Sequence, residues 1–201
     1  MNLPNKITLT RICMIPLFIA VFYLDVFSGR HYEFLIAAIV FVVAASTDAL
    51  DGHIARSRNL VTNLGKFLDP IADKVLVSTA FIVMLTRPLA FAVEPFGLWG
   101  LLVAGICVSV ILARELIVSG FRMIAAGRNL VLAADKLGKF KTVFQDAAIA
   151  LLLASMPFVG ELGGRIVAYI GLVCFAACTV LTVISGINYI LKNKQVLKDT
   201  E

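Results

Sequence analysis

Apolar residues fall in six long runs along the chain, at 12–27, 34–50, 71–86, 98–118, 143–159 and 166–191. Short polar or Gly/Pro-containing stretches separate them: "DVFSGRHYE", "RSRNLVTN", "TRPLAFAVEP", "AAGRNLVLAADKLGK" and "GELGGR". Each run approaches the roughly 20 residues that a helix needs to cross a bilayer. The pattern predicts an all-α polytopic membrane protein of six transmembrane helices. Ahead of the first run, "MNLPNKITLTRI" is mildly amphipathic and is expected to form a short interfacial helix. Lys6 and Arg11 before the first run give it the look of a signal peptide, but "YLDVFSG" offers a poor small-residue cleavage site, so the run is expected to be retained.

Composition sharpens this picture. Sixty per cent of the residues are hydrophobic and 15% charged, with a mean hydropathy of +0.96; soluble domains are nearer half apolar and about a quarter charged. Six spans consume the 201 residues, which leaves one membrane domain, 1–201, and no soluble one. If both termini face the cytoplasm, Arg30, Arg87 and Arg165 are the outer cations and every other Lys and Arg lies inside. This positive-inside asymmetry explains the net charge of +5 without nucleic acid as a partner. Cys13, Cys107, Cys174 and Cys178 all fall within the apolar runs and read as packing residues, neither a disulfide framework nor a zinc site.

Against that background the carboxylates stand out. Asp48 and Asp51 are three residues apart at the end of the second run, and Asp69 and Asp73 are four apart at the start of the third. Each pair shares a helix face, and the short connection lets the two faces meet. Because Pro70 suits a first helical position, Asp69 is expected to cap the third helix with Asp73 one turn inside. A carboxylate at a helix centre in lipid costs about 2.5–3.5 kcal/mol. These lie nearer the interface, but four anions close together must take up protons or bind cations. An all-oxygen set suits Mg²⁺ or Mn²⁺ rather than zinc, and four carboxylates can hold two ions about 3.5–4 Å apart, a geometry suited to displacement at phosphorus. The plainer alternative has the aspartates capping helices and pairing with Arg56, Arg58, Lys66 and Lys74. Gly52, Ala55 and Gly65 either admit a base or phosphate to the backbone or permit close helix packing. Arg56 either forks onto a phosphate or is a solvated cation at a helix end.

Taken together, Asp48-x₂-Asp51-Gly52-x₂-Ala55-Arg56-x₈-Gly65-x₃-Asp69-x₃-Asp73 resembles the signature of the CDP-alcohol phosphotransferase family at every position and spacing. The resemblance implies six transmembrane helices, two metal ions and transfer of a phosphatidyl group from a CDP-linked lipid to an alcohol with release of CMP. It implies Asp48, Asp51 and Asp69 as metal ligands, with Asp73 ligating the second metal and serving as general base. Gly52, Ala55 and Gly65 would line the cytidine pocket, and Arg56 would hold the pyrophosphate. A homodimer is expected on the same ground.

The likeness extends further. "NKITLTRICMIPLF", "GKFLDPIADKVLV", "ARELIVSGFR" and "GKFKT" are similar to the phosphatidylglycerophosphate synthase branch of that family. That branch implies CDP-diacylglycerol as donor and glycerol-3-phosphate as acceptor. The acceptor is a dianion, and Arg114, Arg122, Lys139 and Lys141 supply a basic cluster separate from Arg56 and Arg58. Glu115, Ser119 and Arg122 share a helix face, and Lys139 and Lys141 can close over the phosphate from the next segment, where Gly138 relaxes the backbone. Ordinary positive-inside charge would explain a basic loop, but not Arg114 inside a span. Competing acceptors are an inositol phosphate, serine or a second lipid. A reading of a different class is a cation transporter, disfavoured because the acids gather at one edge rather than near the midplane of several spans. The expected location is a bacterial plasma (inner) membrane, with the active site and both termini cytoplasmic.

Overall fold

The computed structural model describes residues 3–24, 31–57, 63–91, 97–127 and 136–193, and their side chains except at 3–8, 48–70, 88, 126–127 and 136. Six α-helices account for most of these residues: α1 (Leu3–Tyr23), α2 (Glu33–Ser57), α3 (Asn63–Leu85), α4 (Gly97–Gly127), α5 (Lys136–Ser155) and α6 (Leu162–Lys192). Single 3₁₀ turns at Pro88–Ala90 and Met156–Phe158 follow α3 and α5. No strand occurs among the described residues.

Four of the six apolar runs, 34–50, 71–86, 98–118 and 166–191, lie wholly or almost wholly within one helix, and those helices are longer than the runs. Residues 3–11 continue into the first run as α1, so the interfacial segment is not a separate element. Likewise α3 begins at Asn63, which places Asp69 and Pro70 inside the helix rather than at its cap. Gly138 and the lysines beyond it belong to the first turns of α5. Hydropathy marks the part of a helix that faces lipid or the core, whereas backbone hydrogen bonding continues through the polar turns beyond it.

Contacts between helix ends fix the arrangement. Phe22, at the end of α1, packs at a tilt against Phe34, at the start of α2, with centroids 4.9 Å apart, so these helices are antiparallel. Tyr23 and Thr86 share a hydrogen bond of 2.9 Å, which brings the C-terminal ends of α1 and α3 together. Tyr32 meets Phe158 at 6.1 Å, placing the end of α5 beside the start of α2. α1 packs on α2 and α3, α2 on α5, α5 on α6, and α4 on α6 and α3.

Phe18, Phe22, Phe34 and Phe41 fill the space among α1 and α2, and Phe81 and Phe91 pack on Phe175 of α6. Ala37, Ala44, Ala80 and Ala148, all fully buried, let the backbones approach. At the α5–α6 turn a Cβ on Gly164 would lie 1.8 Å from the Phe158 carbonyl oxygen, so only glycine fits. The outer faces are apolar: Trp99, Leu98 and Ile106 on α4, and Val173 and Ile187 on α6, are exposed. α4 and α6 are each long and apolar enough to cross a membrane, judged by length and composition.

One cation lies deep in this packing. Arg11 of α1 is fully buried, and its Nε donates to the Ala44 carbonyl (3.2 Å) and to Thr47 Oγ1 (3.3 Å) on α2. Counted from sequence as an inside charge before the first span, it also ties two helices together.

Candidate active site

The middle of α3, the C-terminal half of α4, the start of α5 and the end of α6 come together. There they enclose a cavity of about 260 Å³. Asp73 and Lys74 enter it from α3, Arg114, Glu115 and Arg122 from α4, Lys139, Lys141 and Thr142 from α5, and Tyr189 from α6. The spacing of three and four residues along α4 places Glu115 and Arg122 on the same wall. Gly138 lines the cavity as well, and its missing side chain leaves the opening clear.

Glu115 organises the cations. Its Oε1 accepts from Lys141 Nζ at 2.7 Å and from Arg114 Nη1 at 2.9 Å. Lys141 is buried to 4% exposure, so its pairing with a carboxylate is what makes that burial tolerable. Arg114 reaches α6 through Nη2, which donates to Ser185 Oγ at 2.9 Å. Gly186 makes this crossing possible, because a Cβ there would stand 3.0 Å from Arg114 Cγ. Arg122 Nε donates to Tyr189 Oη at 3.3 Å, with its guanidinium 5.6 Å from the ring centre, in cation–π range. Lys74 Nζ donates to Ser119 Oγ, and Ser119 in turn donates to the Glu115 carbonyl at 2.5 Å. A smaller extension of the cavity runs inward past Ser78 and Gln145.

The four cations singled out from sequence therefore surround one space together with Asp73. The remaining motif residues are placed by backbone only. Asp48, Asp51, Gly52, Ala55 and Arg56 lie on the last turns of α2, and Gly65 and Asp69 on α3; their side chains lie outside the described residues. α2 and α3 touch, so the two carboxylate pairs sit on contacting helices. Among the described residues no three acids, histidines or cysteines gather, since of the four aspartates only the Asp73 side chain is described. The donor set, four carboxylates at three- and four-residue spacing, fits a hard divalent cation.

Sequence reasoning did not single out Lys74 and Tyr189 for this site. Lys74 was weighed as a partner for the aspartates, but it points across to α4. Tyr189 had a readable signal: Thr182, Ser185 and Tyr189, spaced by three and four, form a buried polar stripe on the otherwise apolar α6. A second groove of about 340 Å³ lies between α2 and α5, lined by Phe41, Val42, Ala45 and Asp146 among others. It is mainly apolar and offers no lining cation, in contrast to the smaller, charged cavity.

Comparison with known proteins shows the family. The family model described as CDP-alcohol phosphatidyltransferase matches residues 1–184. The chain belongs to that family. A relative from Bacillus subtilis (strain 168), named CDP-diacylglycerol–glycerol-3-phosphate 3-phosphatidyltransferase, is 43% identical over 206 residues, covering 98% of this chain and 97% of its own. A relative of the same name from Rickettsia typhi is 36% identical, covering 94% of each chain. A CMP-forming cardiolipin synthase from rice is 37% identical over 77% of this chain and 46% of its own length. The relatives thus differ in the activity that their names state.

Proposed function

We propose that this protein transfers the phosphatidyl group of CDP-diacylglycerol to glycerol-3-phosphate, forming phosphatidylglycerol phosphate and CMP in phospholipid synthesis. The observation that carries this reading is that Asp73, the candidate base, opens into the same cavity as Arg114, Arg122 and Lys141. A base beside a cluster of cations suits an acceptor that carries both a hydroxyl and a phosphate. A bulky neutral acceptor would bring no anion to Arg122 and Lys139, while Glu115 alone answers Arg114 and Lys141. The names of the Bacillus and Rickettsia relatives support the same acceptor.

In this reading Asp48, Asp51, Asp69 and Asp73 would hold one or two Mg²⁺ or Mn²⁺ ions, which when bound supply positive charge to the donor's pyrophosphate. Arg56 would add a guanidinium to the same pyrophosphate, and Gly52, Ala55 and Gly65 would leave room for cytidine. Arg114, Arg122, Lys139 and Lys141 hold the acceptor's phosphate and so fix its far hydroxyl beside Asp73. Asp73 takes the hydroxyl proton as the oxygen attacks the lipid-bearing phosphorus. The new P–O bond forms as the bond to the CMP oxygen breaks, and CMP leaves with the electron pair.

The remaining organisation follows from the same reading: one membrane domain of six spans with its interfacial start, the site and both termini cytoplasmic, in a bacterial inner membrane, and a homodimer on family grounds. The decisive assay incubates purified protein in detergent micelles with CDP-diacylglycerol and one labelled acceptor at a time, and follows CMP. Release with glycerol-3-phosphate, but not with inositol phosphate, serine or phosphatidylglycerol, is expected. Release with phosphatidylglycerol alone would assign a second-lipid acceptor, and ion flux without CMP would assign a transporter.

A further inference from the structure

A carboxylate is out of place in a pocket built for a dianion, and Glu115 calls for its own explanation. Its Oε1 satisfies both Lys141 and Arg114. Its Oε2 has no hydrogen-bond partner among the described residues, although the side chain lines the cavity and is 19% exposed. A carboxylate serving only to balance the cations would be better placed outside the binding space, because at this position it repels the incoming phosphate. Lys141 and Arg114 both bind the same oxygen, which leaves the other as the acceptor that this cavity-lining side chain can offer a ligand. An ionised oxygen can only accept, so what it meets on a ligand must donate.

We infer that Glu115 is a specificity-determining residue whose Oε2 accepts a hydrogen bond from a hydroxyl of the acceptor other than the one that reacts, so the pocket selects a vicinal diol phosphate over a simple hydroxyalkyl phosphate. In this arrangement the phosphate lies against the exposed Arg122 and Lys139 and within reach of the inner pair Arg114 and Lys141, Asp73 takes the reacting hydroxyl, and Glu115 takes the second hydroxyl; all six line the one cavity. This rests on the acceptor reading proposed above.

The test compares glycerol-3-phosphate with 3-hydroxypropyl phosphate, which has the same phosphate and primary hydroxyl but lacks the secondary one. The readout is the ratio of kcat/KM in CMP release. Wild-type protein is expected to prefer glycerol-3-phosphate by about ten- to a hundredfold, the range for losing a hydrogen bond to a charged partner. In Glu115→Gln the two cations hold the amide oxygen, the amide NH₂ faces the cavity, and the ratio is expected to fall toward unity. Glu115→Asp keeps the charge but withdraws it by one methylene, and an intermediate ratio is expected. A purely structural Glu115 would lower activity with both acceptors equally, leaving the ratio unchanged in both variants. A wild-type ratio near one, or either variant at the full wild-type ratio, overturns the inference. Absence of CMP release by wild-type protein with either acceptor would instead strike the acceptor reading itself.

Discussion

Replacing Lys141 by methionine removes one charge from the cavity at nearly constant volume. Its ammonium is almost fully buried and sits 2.7 Å from Glu115 Oε1. Bare Coulomb attraction to a phosphate charge 4 Å away is about 4 kcal/mol at an effective dielectric of 20. Desolvation cancels part of that, and hydrogen bonds to charged groups amount to about 1.5–3 kcal/mol in mutational series. The variant should therefore lose roughly ten- to 150-fold in kcat/KM for glycerol-3-phosphate. Loss of Lys141 also leaves Glu115 to Arg114 alone, which adds repulsion toward the acceptor and places the effect near the upper end. The KM for CDP-diacylglycerol should move less than threefold. Varying each substrate in mixed micelles while following CMP separates the two. Equal losses for both would refute the assignment of Lys141 to the acceptor side. A retained unfolding midpoint is part of the expectation, since Arg114 still partners Glu115.

Asp73→Asn should lower kcat by about 10²–10⁴-fold, as for loss of a general base, while the variant still binds CDP-diacylglycerol in part; near-wild-type turnover would exclude Asp73 as the base. Chelation with EDTA should abolish CMP release and added Mg²⁺ should restore it, and activity surviving exhaustive chelation would remove the metal from the scheme. Gly164→Ala should lower stability by about 1–3 kcal/mol through the clash with the Phe158 carbonyl, read as a lower midpoint in detergent, with activity per folded molecule unchanged.

That Arg114, Arg122, Lys139 and Lys141 belong together was legible because it depends on residue type and helical spacing, which sequence states directly; the side chains of Asp48, Asp51 and Asp69 lie outside the described residues. Other features were hidden for identifiable reasons. Counting Lys and Arg as inside charges treats every cation as solvated, so nothing marked Arg11 as a buried tie to Ala44 and Thr47. Lys74 follows Asp73 in sequence, but one step along a helix turns a side chain by about 100°, toward a different neighbour. Glu115 was recognised as sharing a face with Arg122, yet its grip on Lys141 is a contact between helices that no local spacing encodes. The helix starts were misjudged where polarity was taken as an end: α3 runs through Pro70 from Asn63.

The charged chamber draws its walls from α3, α4, α5 and α6, whereas the aspartate signature is complete by residue 73. During synthesis the four aspartates therefore emerge well before Lys139 and Lys141 of α5. On the proposed function, a nascent chain stopped after α4 would carry the aspartates, Arg114 and Arg122, but a chamber open on the sides that α5 and α6 close. On that reading, dividing the work between early and late segments makes completion of the last hairpin a precondition for productive transfer.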